Sequence, residues 1–335
     1  MHIPENYLSP ETCGVMALAM VPVWVHAVKK VKAEIPKEKM PLLGICAAFS
    51  FLGMMFNIPL PGGTTGHAVG GTLIAILLGP DAACISVTIA LLIQALLFGD
   101  GGVLAFGANC FNMAFLLPYV GYAIYEVISK KAKSAKGKYL GAAVGSYVGI
   151  NVAALAAAIE FGAQPYLFHD ALGQALYCPY GFSISIPAMM LGHLTVAGLA
   201  ELIFTTAVLA FVSKTSPDIV SVENQGKKSH PALYILMAVL VCAVPLGLLA
   251  QGTAWGEWGS DEISNVITGG TVLGYTPQGM LDGWEWSSIF PDYTMAGLPD
   301  VAAYILSAII GVAITVLLFR IIAATMKSKV DFDKK

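Results

Sequence analysis

Charge is scarce in this sequence. Only 12% of its 335 residues are charged, whereas 57% are hydrophobic and the mean hydropathy is +0.74. Soluble domains carry about 25% charged residues, so the composition excludes an ordinary water-soluble domain. Long apolar runs recur along the chain, and most have the length of a membrane-spanning helix. The sequence therefore predicts an all-α fold: a polytopic integral membrane helical bundle in the lipid bilayer of the cell membrane.

The motifs of several chemistries are absent. There is no G-x-x-x-x-G-K-[ST] phosphate-binding loop, so the chain has no ATPase motif of its own. The H-E-x-x-H pattern of zinc proteases and the G-x-S-x-G pattern of serine hydrolases are missing too. No basic tract suggests a nucleic-acid partner. These absences favour a protein that is not an enzyme and that uses no catalytic cofactor.

Basic residues are confined to four stretches. All 18 Lys and Arg residues fall within 29–39, 130–138, 214–228 and 320–335. About nine transmembrane helices place those stretches on one side of the membrane, and the predicted crossings are 12–29, 41–57, 66–79, 82–98, 103–129, 140–162, 187–212, 232–250 and 301–326. Because basic loops stay cytoplasmic, we expect the amino terminus outside and the carboxy terminus inside.

A polar stretch divides the chain. Residues 214–230 contain Pro, Gly and three Lys, and are predicted to form a cytoplasmic linker. Residues 1–213 would form a seven-helix unit, and residues 231–335 a two-helix accessory region. Between the last two helices lies an acidic, Trp-rich outer loop, residues 251–300, with no basic residue. Its acids favour either the attraction of cations or an ordinary solvated loop.

The chain starts with Met1-His2, which is a potential chelator. The α-amine, the backbone amide nitrogen of His2 and its ring Nδ1 can close two fused rings around one metal ion. Late divalent metals such as Ni(II) and Cu(II) can displace the amide proton and accept a planar set of nitrogens. Residues 1–11 contain no Lys or Arg, so no signal peptide is predicted and Met1 should be retained. The alternative is that His2 is a polar residue on a frayed end.

His67 is the candidate for a fourth nitrogen ligand. It lies in a glycine-rich run, 62–71, predicted to share the outer face of the membrane with Met1 and His2. Three polar residues near it are candidates to orient a ligating ring, namely Asn57, Thr64 and Thr65. The alternative is that His67 is only a polar residue in a turn. His169 is interpreted as a loop residue and His193 as a helix-packing residue.

Residues 1–10 (MHIPENYLSP) and 62–71 resemble the substrate-binding membrane component of nickel and cobalt energy-coupling-factor transporters. The resemblance implies that Met1, His2 and His67 bind the metal. It implies a helical bundle of about six helices preceded by an extra amino-terminal helix, working with a second, energy-coupling membrane subunit and two ATP-binding subunits. Residues 246–261 and 291–311 resemble the accessory membrane component of the same systems.

The resemblance implies Ni(II) as transported substrate, with Co(II) possible. Cobalt-type relatives usually have a Ser-His-Pro-like environment at the second His, whereas this chain has Thr65-Gly66-His67-Ala68, which favours nickel. Binding is expected to weaken as the pH falls through the ordinary His range near 6.5.

Two other functions remain open from the residues. A self-sufficient secondary carrier or channel would use Glu160, Glu201 and His193 along its path. A membrane metalloenzyme would need an open coordination position and a general base.

Overall fold

A computed structural model describes residues 1–132, 134–220, 230–268 and 270–325. It confirms the predicted fold class, an all-α polytopic membrane bundle. Within those residues, seven helical segments are long and apolar enough to cross a membrane, and they are Pro10–Glu34, Pro80–Phe98, Phe106–Ala132, Lys136–Leu167, Phe182–Thr215, Pro231–Leu249 and Asp300–Thr325. Each corresponds to one predicted crossing. Of the predicted linker, residues 221–229 lie outside the described part.

The other two predicted crossings are shorter than expected. The second is the 16-residue helix Met40–Met55, and the third, predicted over 66–79, contains only the eight-residue helix Gly71–Leu78. A hairpin of strands β1 (Ile58–Leu60) and β2 (Thr64–Gly66) occupies the chain between them. The glycines explain the hairpin, because Gly62 and Gly63 in its turn have φ values of +90° and +76° that other residues rarely adopt. The count of nine is therefore approximate.

In chain order, the α-helices are α1 Pro10–Glu34, α2 Met40–Met55, α3 Gly71–Leu78, α4 Pro80–Ile93, α5 Phe106–Asn109, α6 Leu117–Ala132, α7 Ala135–Leu167, α8 Phe182–Gly192, α9 Gly198–Thr215, α10 Pro217–Val220, α11 Pro231–Ala243, α12 Gln278–Leu281 and α13 Asp300–Thr325. Short 3₁₀ turns lie at Lys37–Lys39, Val244–Leu249, Ile263–Asn265 and Pro291–Tyr293. The outer loop also contains the two-residue strands β3 (Ile267–Thr268) and β4 (Thr271–Val272).

Three helices contain π-helical segments, whose wider turns insert an extra residue into an α-helix and often occur at functional sites. Gln94–Phe98 extends α4, Cys110–Leu116 joins α5 to α6, and His193–Ala197 joins α8 to α9. Each segment supplies at least one buried polar side chain, and these are Gln94, Asn112 and His193.

Glycines bring α6 and α7 close together. A Cβ on Gly145 would lie 2.4 Å from the carbonyl oxygen of Gly121, a distance that no side chain tolerates. Such small-residue contacts let helices pack tightly in lipid, where the hydrophobic effect does not drive helix association. The repeat Gly141, Gly145, Gly149 lies at this interface.

Candidate metal centre

The amino-terminal segment before α1 is buried among the helices and held by its backbone. The Asn109 side chain forms two hydrogen bonds with the backbone of Ile3, as a neighbouring strand would. Its Oδ1 accepts from the Ile3 N–H at 2.7 Å, and its Nδ2 donates to the Ile3 carbonyl at 3.0 Å. The N–H of Gly102 donates to the same carbonyl at 2.8 Å. These bonds fix the backbone next to His2. Ser9 then caps α1 through Thr12 N–H, and Pro10 fits the first helical position.

Two glycines allow the segment to lie this close. Gly101 has φ +84°, and a Cβ there would lie 3.3 Å from Cδ2 of His2. A Cβ on Gly102 would lie 2.8 Å from the backbone nitrogen of Glu5. The Gly101-Gly102 pair is therefore required for the approach of the amino-terminal segment.

His2 and His67 meet in the interior. Nδ1 of His2 lies 3.2 Å from Nε2 of His67, and the two rings are 2% and 6% exposed. Two nitrogens bound at right angles to one metal at about 2.0 Å each would be about 2.8 Å apart. The observed separation is close to that value. Residues 65 positions apart in the chain thus present two ring nitrogens to one point.

The backbone adds two further nitrogens at the same place. The α-amine of Met1 and the amide nitrogen of His2 precede the His2 ring in the chain, and Met1 is buried. Within the described residues, the His2 amide N–H donates no hydrogen bond to a protein oxygen. No group of three or more His, Cys, Asp or Glu side chains in the described residues is arranged to hold a metal ion. The candidate centre combines backbone and ring nitrogens.

Glu201, on α9, holds the loop that carries His67. Its carboxylate accepts from the Val69 N–H at 2.7 Å and from the Gly70 N–H at 3.0 Å. Glu201 is fully buried, and the N–H groups it binds lie at the start of α3, where the helix dipole favours a negative charge. Gly70 has φ +74° there. From the sequence, Glu201 is a candidate only for the path of a secondary carrier, and its contact with the His67 loop appears only in the fold.

The residues proposed to orient His67 lie elsewhere. Thr64 and Thr65 belong to β2, and the described contacts join neither hydroxyl to the His67 ring. Nδ1 of His67 instead lies 3.3 Å from the Ala68 carbonyl oxygen. Since the Ala68 carbonyl only accepts, its contact with His67 places a proton on Nδ1 of His67 and leaves Nε2 free to bind. Asn57 lies just before β1, and its backbone N–H donates to the Met55 carbonyl.

A polar network surrounds the His2 ring. Oδ1 of Asp100 lies 3.1 Å from His2 Nδ1. The other Asp100 oxygen accepts from Gln94 Nε2 at 3.0 Å and from the Tyr293 hydroxyl. Gln94 Nε2 also donates to the Tyr293 hydroxyl at 2.9 Å. Tyr293 belongs to the outer loop. The carboxy-terminal region is thus linked to the candidate ligand His2 through a single residue, Asp100.

Glu257 of the outer loop contacts the terminal amine directly. Its Oε1 accepts from the Met1 α-amine at 2.8 Å. Trp255 and Trp258 beside it pack against Tyr180 and against each other. Sequence analysis missed the roles of Glu257, Asp100, Gln94 and Asn109. The only sequence signal for Glu257 is the acidic composition of its loop, which contains no Lys. Glu257 is not an ordinary solvated residue of that loop, because it contacts the Met1 amine.

Burial makes both rings neutral. It lowers the pKa of His2 to about 4, partly opposed by the Glu257 carboxylate. It also lowers the pKa of His67 well below its usual range, with the nearby His2 ring acting in the same direction. Burial raises the pKa of Asp100, opposed by the Tyr293 hydrogen bond. Neutral imidazoles are the form that binds metals, and the predicted transition near pH 6.5 does not fit these buried rings.

The other histidines lie apart from this contact. Nδ1 of the buried His193 lies 2.9 Å from the Met189 carbonyl one helical turn earlier, and Nδ1 of the exposed His169 lies 3.1 Å from the Asp170 carbonyl. These positions agree with the packing and loop roles expected for them. Glu160, on α7, accepts from Asn112 Nδ2 at 2.9 Å.

The fold and these residues define a class: a multi-pass membrane protein with a buried, nitrogen-rich site. Residues 2–219 match the family described as the cobalt uptake substrate-specific transmembrane region, and residues 229–328 match the PDGLE domain. The chain belongs to the cobalt uptake substrate-specific transmembrane family. This finding confirms the predicted resemblance.

Known relatives are similar along nearly the whole chain. The probable fused nickel transport protein LarMN of Lactiplantibacillus plantarum is 52% identical over 96% of this chain and 97% of its own length. The fused nickel transport protein NikMN of Rhodobacter capsulatus is 43% identical, covering 94% and 95%. A crystal structure described as a truncated transition metal transporter is 58% identical over 64% of this chain and 99% of its own, with a TM-score of 0.61. Both sequence relatives are named as transport proteins.

Proposed function

We propose that the chain captures Ni(II), and less readily Co(II), outside the cell membrane and delivers it inward as the substrate-specific subunit of an ATP-driven energy-coupling-factor importer. Met1 provides the α-amine, His2 its amide nitrogen and ring Nδ1, and His67 its Nε2. The observation that carries this proposal is the 3.2 Å contact between the two ring nitrogens next to the buried amino terminus.

Coordination chemistry supports nickel as the cargo. A planar set of four nitrogens, one of them a deprotonated amide, suits Ni(II) and Cu(II). Mg²⁺ and Ca²⁺ prefer oxygen ligands, and Zn²⁺ prefers a tetrahedral arrangement. The names of the two fused relatives as nickel transport proteins point the same way.

The proposed division of labour follows from the family resemblance and fits what the sequence lacks. The chain has no phosphate-binding loop of its own, and in this proposal two ATP-binding subunits and an energy-coupling membrane subunit supply the energy. In this proposal, residues 1–213 bind the metal, residues 214–230 form a cytoplasmic linker, and residues 231–335 form the accessory region. In this proposal the metal centre faces the outside and the carboxy terminus lies in the cytoplasm, which the one-sided distribution of Lys and Arg supports.

Extending the chain by four residues (Gly-Ser-Gly-Ser) before Met1 tests the proposed ligand set. The extension keeps every side chain but converts the α-amine of Met1 into an amide nitrogen, which is a poor ligand. We expect nickel affinity, measured by titration calorimetry on the purified protein, to fall sharply. The control is the same four-residue insertion after Gly173, in an exposed turn far along the chain. Mass spectrometry of the intact protein verifies the amino terminus of each variant; near-original affinity in the amino-terminal extension would refute the proposal.

A further inference from the structure

Two buried polar atoms beside the candidate metal centre lack a hydrogen bond within the described residues: Nε2 of His2 and Oε1 of Gln94. The two side chains are 2% and 0% exposed. Both side chains contact the same carboxylate: Gln94 Nε2 donates to one Asp100 oxygen at 3.0 Å, and His2 Nδ1 lies 3.1 Å from the other. A donor-capable nitrogen and an acceptor oxygen are thus held around one carboxylate, shut away from water, and each needs a partner.

The surrounding network fixes which end of the Gln94 amide faces His2. Gln94 Nε2 lies 3.0 Å from an Asp100 oxygen and 2.9 Å from the Tyr293 hydroxyl. An ionised carboxylate only accepts, so the NH₂ end of the amide must point to Asp100. Tyr293 gives its single proton to the same Asp100 oxygen and accepts from Gln94. The carbonyl end of Gln94 is left for another donor.

The His2 ring can be that donor in only one of its neutral forms. A neutral imidazole carries one proton, on Nδ1 or on Nε2. Nδ1 is the atom that lies 3.2 Å from His67 Nε2, and in a metal-free protein it can donate to Asp100 Oδ1 at 3.1 Å. Once Nδ1 binds a metal ion, the ring proton must be on Nε2. Ligating histidines generally donate this second N–H to a protein acceptor, which fixes the tautomer and the ring orientation.

We infer that Gln94 is a positioning residue for the metal centre: its amide oxygen accepts the Nε2–H of His2 and thereby selects the tautomer whose Nδ1 binds the metal. The inference rests on the proposed function, since it requires Nδ1 to be a ligand. Tyr293 holds Gln94 in place from the outer loop. Its backbone φ of +60° is rare for so large a residue, and such conformations persist only where the surroundings impose them.

The test replaces Gln94 by Met, which keeps the approximate volume and removes the amide oxygen. Cu(II), which suits the same planar nitrogen set, is the spectroscopic probe. Pulsed electron paramagnetic resonance detects the remote nitrogen of a copper-bound imidazole, and its quadrupole coupling changes with hydrogen bonding at that nitrogen. We expect Gln94→Met to alter this coupling for one of two imidazoles and to lower Ni(II) affinity by about 10-fold or more.

Asn151→Leu is the matched control. Asn151 on α7 is also a buried amide whose oxygen lacks a hydrogen bond within the described residues, but its Nδ2 donates to the Tyr147 carbonyl at 2.7 Å, one helical turn earlier. It should leave the remote-nitrogen signal and the Ni(II) affinity unchanged. If Gln94→Met does not fold, Tyr293→Phe replaces it. That variant keeps the amide oxygen but releases the Gln94 side chain, so the signal should split into two populations.

The outcomes separate this inference from the proposed function. If the original protein shows no copper-bound imidazole, or keeps the signal of two imidazoles after His2→Ala, the proposed function fails and the inference with it. If both imidazoles are seen and are lost as expected, but Gln94→Met retains the original coupling and Ni(II) affinity, only the role of Gln94 is overturned. A single unchanged signal in Tyr293→Phe with unchanged affinity would overturn it equally.

Discussion

The two parts of the chain that meet at the candidate metal centre are built in opposite ways. The segment before α1 is mostly buried, and Asn109, Gly102 and Gln164 bind its backbone. The outer loop is largely exposed and reaches the site through a few side chains, among them Glu257 and Tyr293. The comparison teaches that Met1 and His2 are positioned by hydrogen bonds to their own buried segment, whereas the carboxy-terminal loop acts on the charges and hydrogen bonds around them.

The largest expected effect is at His67, the candidate ligand whose ring meets His2 of the buried amino-terminal segment. His67→Ala removes one of four proposed ligands and leaves a three-nitrogen chelate open to solvent and buffer. We expect nickel affinity to fall by more than about 100-fold, since loss of groups that only support a ligand costs about 10–100-fold. Calorimetry and the visible absorption of bound nickel measure the change, with His169→Ala as the control. An unchanged spectrum in His67→Ala would mean that His67 is not a ligand.

A smaller effect is expected from Glu201→Gln, which acts on the loop and not on a ligand. The amide removes the negative charge that now accepts from the Val69 and Gly70 N–H groups, and hydrogen bonds to charged groups are worth about 1.5–3 kcal/mol each. We expect a lower melting temperature and roughly 10-fold weaker nickel binding because His67 loses its fixed position. Glu160→Gln changes another carboxylate inside the bundle and should preserve nickel affinity. Equal losses in both variants would argue against a specific role for Glu201.

On the carboxy-terminal side, Glu257→Gln should have a modest effect. The ion pair with Met1 is partly exposed, and such pairs contribute about 0.2–1 kcal/mol. A metal bound to an amidate leaves a net positive charge that the carboxylate favours, so we expect nickel binding to weaken by about 2- to 5-fold. Glu262→Gln, which changes another carboxylate of the same loop, is the control. Tighter binding in Glu257→Gln would show instead that the carboxylate competes with the metal for the amine.

The smallest effect concerns the histidines at mildly acidic pH. Folded-state burial lowers the pKa of His2 to about 4, so its ring stays neutral and able to bind metal until the pH approaches 4. Between pH 7 and 5.5, protonation of this ring should therefore contribute almost nothing to the loss of nickel affinity. Nuclear magnetic resonance of ¹⁵N-labelled histidine in the metal-free protein follows the ring directly. A His2 titration near pH 6.5 would contradict the buried environment described above.

The sequence predicted the elements whose physical cause is local. Composition and apolar run length identified the membrane helices, and the Met1-His2 start together with the glycine-rich run identified the candidate ligands. The hairpin before α3 was missed because hydropathy averages over a window longer than a three-residue strand. Asp100, Gln94 and Glu257 could not be found in the same way, since each acts through a partner about 100 to 260 positions away. Only the packed bundle brings such residues together.

Two of the π-helical segments allow single residues to be deleted from a helix without shifting the helices on either side. The two segments that lie between α-helices, Cys110–Leu116 and His193–Ala197, hold a residue more than the α-helical path around them, so the helices on either side keep their register across the extra residue. Deleting a residue within 110–116 or 193–197 would restore an α-helical path while leaving the lipid-facing surfaces of both flanks in place. The deletion would re-aim only the side chains of the segment itself, Asn112 or His193 among them. A one-residue deletion in such a segment can thus change the side chains that face the interior without changing the surface that the bundle presents to the bilayer.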